Sequence, residues 1–585
     1  MDDLTHPDAF LASLRAEADG EDAGARLGRV VAGSLSSGLQ VRLDHDRRLE
    51  DLAVGRYVVM KAGGRLFFGM ITDIALDSTH PAFEKTPPDL DNPFLRQVYL
   101  GTSAFGRLHV SPLLELDEHD RTPRPVKTIP GHYTPVMTAS PEEVAYVFGA
   151  EGVQRDAAGK TVHYFHIGRP LEMEDVKITL NLERLVERSS AVFGKSGTGK
   201  TFLSRLLLAG VIQSDVAVNL IFDMHNEYGW AGTSEGATRQ VKGLKQLFPG
   251  RVVIFTLDPE SSRRRQSNPD EVVTLPAERI EPEDLEMLAG VLDLHEAQVG
   301  AMYVMRRRLG PGWLSDFMND DWVDAYGSQD PEALATGLKA LAEDLGLHQS
   351  TLAALRRKLD RYWRYEFITT RSGERDSVAL ILEYLQAGRS VVLEFGRYGN
   401  DLGAYLLVAN FLTRRIHQRY VEMKERAFGR SSDEPKPLVV TIEEAHKFLD
   451  PQIARHTIFG TIARELRKYN VTLLIVDQRP SGIDPEVMSQ VGTRITLALD
   501  NEEDIRAVFM GVSGGQALRE VLARLDSKEQ ALILGHAVPM PVVVQTRAYD
   551  TEFYRQMGYA EEEELEARFQ QNQALMRGRQ RHRLT

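Results

Sequence analysis

Two textures of apolar patterning divide this chain. From Gly28 onward, short apolar runs alternate with polar residues and are punctuated by glycine: Arg29–Gly33, Leu39–Leu43, Gly55–Met60 and Leu66–Ile71. Gly63-Gly64 between the last two is a pair suited to a tight hairpin turn. Strand-like pieces continue at Gln97–Leu100, Arg107–Val110 and Thr134–Met137, separated by proline-rich loops. Short strands with frequent turns predict a small β-barrel.

The second texture begins between residues 162 and 182. Nearly all-apolar runs predict strands at Ala191–Phe193, Val218–Phe222, Val252–Leu257, Ser390–Leu393, Leu438–Ile442, Thr472–Val476 and Ile495–Leu499. Most are separated by helical stretches, the signature of a parallel sheet whose strands are covered on both faces. Between Glu281 and Ile368 the strand signal gives way to helical patterns, which predicts a helical insertion. Ala531–Gln545 reads as a final pair of strands, followed by a polar tail ending Arg577-Gly578-Arg579-Gln580-Arg581-His582-Arg583.

Composition narrows the class. A chain of 585 residues is too long for one core, so two to four domains are expected. No apolar run reaches the length of a membrane span, and no membrane association is expected. The absence of cysteine excludes disulfides and thiolate metal sites, and the acidic start Met1-Asp2-Asp3-Leu4 does not read as a secretory signal. A cytoplasmic location is the expectation. The net charge of −14 argues against a surface that binds nucleic acid everywhere, but it leaves room for a basic channel inside an acidic ring.

The chemistry is carried first by Gly194-Lys195-Ser196-Gly197-Thr198-Gly199-Lys200-Thr201, which fills the pattern G-x-x-x-x-G-K-[ST] between a short strand and a Leu-rich helix over Thr201–Val211. A glycine-rich turn lets successive backbone N–H groups converge on phosphates, and the helix N-terminus adds partial positive charge. Lys200 supplies a point charge for the β and γ phosphates, and the Thr201 hydroxyl is a ligand for Mg²⁺. ATP and Mg²⁺ are therefore the expected cofactors.

A second signal follows Leu438-Val439-Val440-Thr441-Ile442, where Glu443-Glu444-Ala445-His446 sits at the carboxyl edge of the predicted sheet. We assign Glu443 to the metal shell and Glu444 to the attacking water; the competing reading is an acidic first helical turn. Asp223, at the end of another strand, is assigned to ordering Mg²⁺ waters near the nucleotide, with turn capping the competing reading. Gln478 directly follows a third strand, where an amide can sense the γ-phosphate or orient water. Arg188, Arg464, Arg467 and Lys468 are candidates for neutralising transition-state charge or are ordinary surface cations. Arg306-Arg307-Arg308, Arg356-Arg357-Lys358 and Arg361–Tyr365 mix basic and aromatic groups, as in nucleic-acid contact or in helices whose aromatic rings pack inward.

In this order, the barrel, the Walker A run, Asp223-x-His225-x-Glu227-Tyr228, Glu443-Glu444-Ala445-His446, Arg464-Glu465-x-Arg467-Lys468-Tyr469 and Gln478-Arg479-Pro480-Ser481 resemble the HerA proteins of the HerA/FtsK superfamily, over about residues 25 to 550. The resemblance implies a homo-hexameric ATP-driven translocase or helicase on double-stranded DNA. It also implies an N-terminal HAS barrel that docks a NurA-type nuclease, and a role in DNA end resection for homologous recombination repair. By the same resemblance Arg188 is donated to a neighbour's ATP, Arg467 acts after the acid-pair helix, and Gln478 is the polar sensor. Three positions depart from the family pattern: Glu443 stands where Asp is usual, and Leu466 and Asn470 stand where glycines are common.

The expected fold is α/β: a RecA-like P-loop ATPase domain with a mostly parallel sheet, an N-terminal small β-barrel and a helical insertion. The expected divisions are a tail over 1–24, the barrel over 25–160, the ATPase domain over 161–280 and 376–550, the insertion over 281–375 and a basic tail over 551–585. Two rival functions remain at this stage, an FtsK-like or conjugative DNA pump and an ATP-switched assembly scaffold in anti-phage defence.

Overall fold

The computed structural model describes residues 26–79, 91–92, 94, 99, 103–117, 123–156, 159–233, 240–319, 331–370, 376–428, 434–512, 515–526 and 528–559. Strands β1 (Arg26–Ser34), β2 (Gly38–Leu43), β3 (Tyr57–Ala62), β4 (Arg65–Ser78), β5 (Ala104–Asp117), β6 (Arg124–Pro125) and β7 (Pro135–Thr138) form one antiparallel sheet in the order β2-β1-β7-β3-β4-β5-β6. Pairing of β2 with β5 closes it into a barrel. Gly63 and Gly64, with φ of 59° and 72°, make the tight turn between β3 and β4. The predicted strand Gln97–Leu100 lies, apart from Tyr99, outside the described residues, as do the tails 1–25 and 560–585.

The barrel strands are more apolar than a one-sided sheet needs, and the packing explains why. Alternate residues Val58 and Met60 of β3, and Phe67 and Ile71 of β4, fill the barrel interior with Leu39, Val41 and Leu108. Their neighbours Tyr57, Val59, Leu66, Phe68 and Met70 point out of the barrel into the large core of the rest of the chain. The Tyr57 hydroxyl donates to the Pro541 carbonyl at 2.9 Å, and its ring meets Phe148 at 6.5 Å.

That core surrounds a 13-stranded sheet. Its strands are β8 (Gly152–Arg155), β9 (Thr161–Pro170), β10 (Ile178–Asn181), β11 (Ser190–Phe193), β12 (Val218–Asp223), β15 (Val252–Thr256), β16 (Glu271–Val272), β19 (Ser390–Glu394), β20 (Leu438–Glu443), β21 (Val471–Asp477), β22 (Thr493–Leu497), β23 (Gln530–Gly535) and β24 (Val542–Thr546). Two small pairs stand apart: β13 (Gly232–Thr233) with β14 (Gln240–Val241), and β17 (Leu275–Pro276) with β18 (Ile368–Thr369). The order β22-β11-β21-β20-β12-β19-β15-β16 is parallel throughout, while β23, β24, β9 and β10 extend it antiparallel. Strands β12, β15, β19, β20 and β21 are buried at every residue, as a sheet covered on both faces requires.

Strand pairing places β8, Gly152–Arg155, in this sheet and not in the barrel, to which the sequence assigned it within 25–160. Ser140 and Glu143 form a capping box that opens a helix at Pro141–Phe148, and Val144, Val147 and Phe148 bury in the central core. The insertion is helical, with helices Pro282–Glu286, Ala289–Leu292, Glu296–Leu309, Trp313–Met318, Pro331–Leu345 and Gln349–Trp363. Its neck is the parallel pair β17–β18, and Trp313 anchors it by donating to the Ile280 carbonyl at 2.9 Å. Among the described residues no helix is long and apolar enough to cross a membrane.

Candidate active site

The loop after β11 is built by its glycines and tied by its own side chains. Gly197 and Gly199 have φ of 77° and 99°, which side-chain-bearing residues rarely adopt. A Cβ on Gly194 would lie 2.8 Å from the Thr198 hydroxyl, which itself donates to the Lys195 carbonyl at 2.8 Å. Gly199 caps the helix Lys200–Ser214 without a side-chain hydrogen bond, which leaves the first-turn N–H groups to a ligand. Lys200 Nζ donates to the Lys195 carbonyl at 3.0 Å, and Lys195 Nζ pairs with Asp500 at 2.9 Å. Ser196 completes the loop, and Thr201 lies half-buried in the first turn. Behind the loop, Gly210 lets the helix approach the Phe165 ring, which an added Cβ would meet at 2.8 Å.

One strand, β21, separates β11 from the acid-pair strand β20. Glu443 is buried at the end of β20: Oε1 accepts from the Tyr228 hydroxyl at 3.1 Å, while Oε2 is buried with no hydrogen-bond partner. Burial first, then the nearby carboxylates of Asp223 and Glu227, push the Glu443 carboxyl well above its ordinary range. A divalent cation opposite Oε2 would satisfy that oxygen and reverse the penalty, so the donor set fits Mg²⁺.

Glu444 follows with φ of 47°, a left-handed backbone for a non-glycine residue. Its Oε1 accepts from Gln478 Nε2 at 2.9 Å, so the two residues assigned to water activation and sensing are in direct contact. Asp477 braces both. Its buried carboxylate accepts from His446 N at 2.6 Å, His446 Nδ1 at 2.9 Å and Arg479 N at 2.7 Å, joining the turns after β20 and β21. The Asp477 hydrogen bond is the largest cause raising the His446 pKa, and Glu444, with Oε2 at 3.7 Å from Nδ1, adds to it.

Asp223 takes the capping role: its oxygens accept from Glu227 N at 2.7 Å, Tyr228 N at 2.8 Å and Gly229 N at 3.3 Å. It thereby shapes the loop that delivers Tyr228 to Glu443. Beside it in register stands Glu394 of β19, held by Arg265 at 2.9 Å, its carboxyl raised to about 7 by burial and by Asp223.

Sequence reasoning missed the roles of Asp477, His446, Tyr228 and Glu394, yet a signal existed. The last residues of the strands β12, β19, β20 and β21 are Asp223, Glu394, Glu443 and Asp477, a repeated acid at the sheet's carboxyl edge. Asp477→Asn presents an NH₂ to a cluster of donors, leaving one of them unmet. We expect turnover to fall about 10- to 100-fold while nucleotide affinity holds, read by phosphate release and by nucleotide titration.

The candidate arginines are elsewhere. Arg188 precedes β11 and packs against Gly492, and Arg467 lies in the turn Leu466–Tyr469 before β21. Both are at amino ends of neighbouring parallel strands, whereas the P-loop and Gln478 leave the carboxyl ends. Strands of 4 and 7 residues put roughly 13 and 23 Å between those edges, so the chain carries both positions at the edge away from its own P-loop. Arg464 pairs with Glu486 at 3.1 Å.

The basic and aromatic stretches of the insertion follow the packing reading. Arg306 binds Glu281 at 2.9 Å, Arg356 donates to the Met318 carbonyl at 3.0 Å, and Arg361 and Tyr365 share Asp401 at 3.0 and 2.9 Å. Tyr362 and Tyr365 are buried.

Comparison with known proteins matches residues 165–416 to the model described as the central domain of helicase HerA, and residues 27–91 to the HAS barrel domain. The DNA double-strand break repair helicase HerA of Saccharolobus solfataricus is 24% identical over 510 residues, which cover 85% of this chain and 88% of that protein. Its namesake from Pyrococcus furiosus is 23% identical, covering 74% and 75%. Among solved structures, the bacterial conjugative coupling protein TrwB aligns at 12% identity and a TM-score of 0.43, over 70% of this chain and 92% of that one.

Proposed function

As a member of the HerA helicases, with their HAS barrel and central domain, the chain is a P-loop ATPase, and we propose that it drives movement along double-stranded DNA as a homo-hexamer. The observation that carries this reading is the split of the catalytic set between two edges of one sheet. The P-loop, the acid pair and Gln478 share the carboxyl edge; Arg188 and Arg467 share the amino edge. If the arginine against the γ-phosphate is Arg188 or Arg467, as the family resemblance implies, the site takes it from a neighbouring copy, as a ring provides.

In this mechanism the loop Gly194–Gly199 presents backbone N–H groups to the phosphates of ATP, and Lys200 moves from the Lys195 carbonyl to the β and γ oxygens. Thr201 and Glu443 would hold Mg²⁺, which would supply positive charge against the triphosphate. Gln478 lies against Glu444, so the amide that reads the γ-phosphate also restrains the base. Glu444 accepts a proton from the attacking water while His446 and Asp477 keep its turn fixed.

The test is phosphate release with and without linear duplex DNA. Stimulation by DNA is expected, falling steeply between about 50 and 200 mM salt as phosphate contacts are lost. Equal rates with and without duplex across that range would defeat the DNA motor.

The HAS barrel is proposed to dock a NurA-type nuclease, which places the pair in end resection for recombination repair. Leu76 on β4 is 85% exposed, the most exposed large hydrophobic side chain of the described barrel strands. Leu76→Glu is expected to reduce co-purification of such a nuclease while leaving ATP hydrolysis unchanged; full retention of the nuclease would count against this docking face.

A further inference from the structure

Glu443 carries one methylene more than the aspartate usual at its place, and so one more rotatable bond to restrain before its carboxylate can serve a cation. The structure meets that need twice. At the head group, the buried Tyr228 hydroxyl donates to Oε1 at 3.1 Å, leaving Oε2 as the oxygen with no protein partner. At the main chain, the buried Tyr405 hydroxyl accepts from Glu443 N at 3.2 Å and donates to Glu443 O at 3.1 Å, taking the place of a sheet neighbour where β20 ends.

Neither tyrosine arrives by accident of packing. Tyr228 is carried by the loop wrapped around Asp223, whose carboxylate accepts the Tyr228 N–H itself. Tyr405 rises from the first turn of the helix Leu402–Arg426, capped by Asp401 through Gly403 N and Ala404 N, and its ring is held edge-on between Phe395 and Phe448 at 5.0 Å each. Both side chains are fully buried.

We infer that Tyr228 and Tyr405 are positioning residues for the metal-shell acid: Tyr228 pins Oε1 so that Oε2 faces the Mg²⁺ of the bound nucleotide, and Tyr405 fixes the backbone from which Glu443 projects. This rests on the assignment of Glu443 to the metal shell. It extends that assignment by naming what makes glutamate workable at this position. Ligand-orienting hydrogen bonds behind a metal carboxylate commonly contribute about 10- to 100-fold to metal affinity.

The measurement is binding of fluorescent N-methylanthraniloyl-ADP to the full chain, once in EDTA and once in saturating Mg²⁺. The ratio of the two affinities reports the metal's contribution without any turnover. Tyr228→Phe removes one hydroxyl and keeps the ring. It is expected to leave affinity in EDTA unchanged and to shrink the Mg²⁺-dependent gain by about tenfold. Tyr405→Phe removes the hydroxyl that bonds the Glu443 main chain and is expected to shrink the gain in the same direction. If either tyrosine variant fails to fold, the other alone decides.

Glu443→Asp should abolish the effect of Tyr228→Phe, because the shorter side chain no longer reaches the hydroxyl. A folded tyrosine variant with the wild-type Mg²⁺ ratio overturns the inference, as does a Tyr228→Phe effect undiminished in the Glu443→Asp background. Glu443→Gln separates the two layers. If it also preserves the wild-type ratio, the metal-shell assignment itself fails; if it abolishes the gain while the tyrosine variants keep it, only the positioning role does.

Discussion

Glu444→Gln is expected to bind ATP as tightly as the wild type and to hydrolyse it about 10²- to 10⁴-fold more slowly, the range removed with a positioned general base. The substitution keeps the size of the side chain and an oxygen that can accept from Gln478 Nε2, so the contact at 2.9 Å survives. What disappears is the capacity to take a proton from water. Because the P-loop is built from residues on a different strand, the nucleotide-binding surface is untouched. Nucleotide titration together with phosphate release distinguishes this outcome from general damage, and undiminished hydrolysis would move the base role elsewhere in the acid row.

Lys200→Ala is expected to act one step earlier. The ammonium is hydrogen-bonded at 3.0 Å to the carbonyl of Lys195, within the loop whose backbone N–H groups suit phosphates. Its loss removes a charge aimed where negative charge accumulates, a deletion of the kind that costs about 10²- to 10³-fold in rate. It also deprives the loop of an internal tie, so ATP affinity should fall as well. Isothermal titration with ATP and Mg²⁺, alongside steady-state hydrolysis, reads both losses. Wild-type affinity combined with wild-type turnover would remove the P-loop lysine from the mechanism.

The parts legible in the sequence are those whose chemistry is local. Gly197, Gly199 and Lys200 lie within one turn of chain, and the backbone angles of the glycines follow from their identity. Central strands such as β12 and β20 were legible because a strand covered on both faces must be apolar at consecutive positions. What stayed hidden joins distant residues. Tyr228 meets Glu443 across 215 positions, and Asp477 meets His446 across 31. No periodicity within either segment encodes such a meeting; sheet order creates it. Asp223 shows the same limit from the other side, because its position at a strand end favoured metal water and left loop capping open. Only the three N–H groups around its carboxylate separate the two. The placement of Gly152–Arg155 was hidden because β8 is short and largely exposed and carries no apolar pattern of its own; only its pairing with β9 decides which sheet it joins.

Strands β3 and β4 send Val58, Met60, Phe67 and Ile71 into the barrel and Tyr57, Val59, Leu66, Phe68 and Met70 into the ATPase core, so among the described residues one apolar seam joins the two bodies. A load hung on the barrel would pull directly on the apolar packing around Tyr57 and Phe68, with no slack to take up first. The barrel is thus a rigid mount rather than a tethered adaptor, and whatever it carries should move in step with the sheet beneath it.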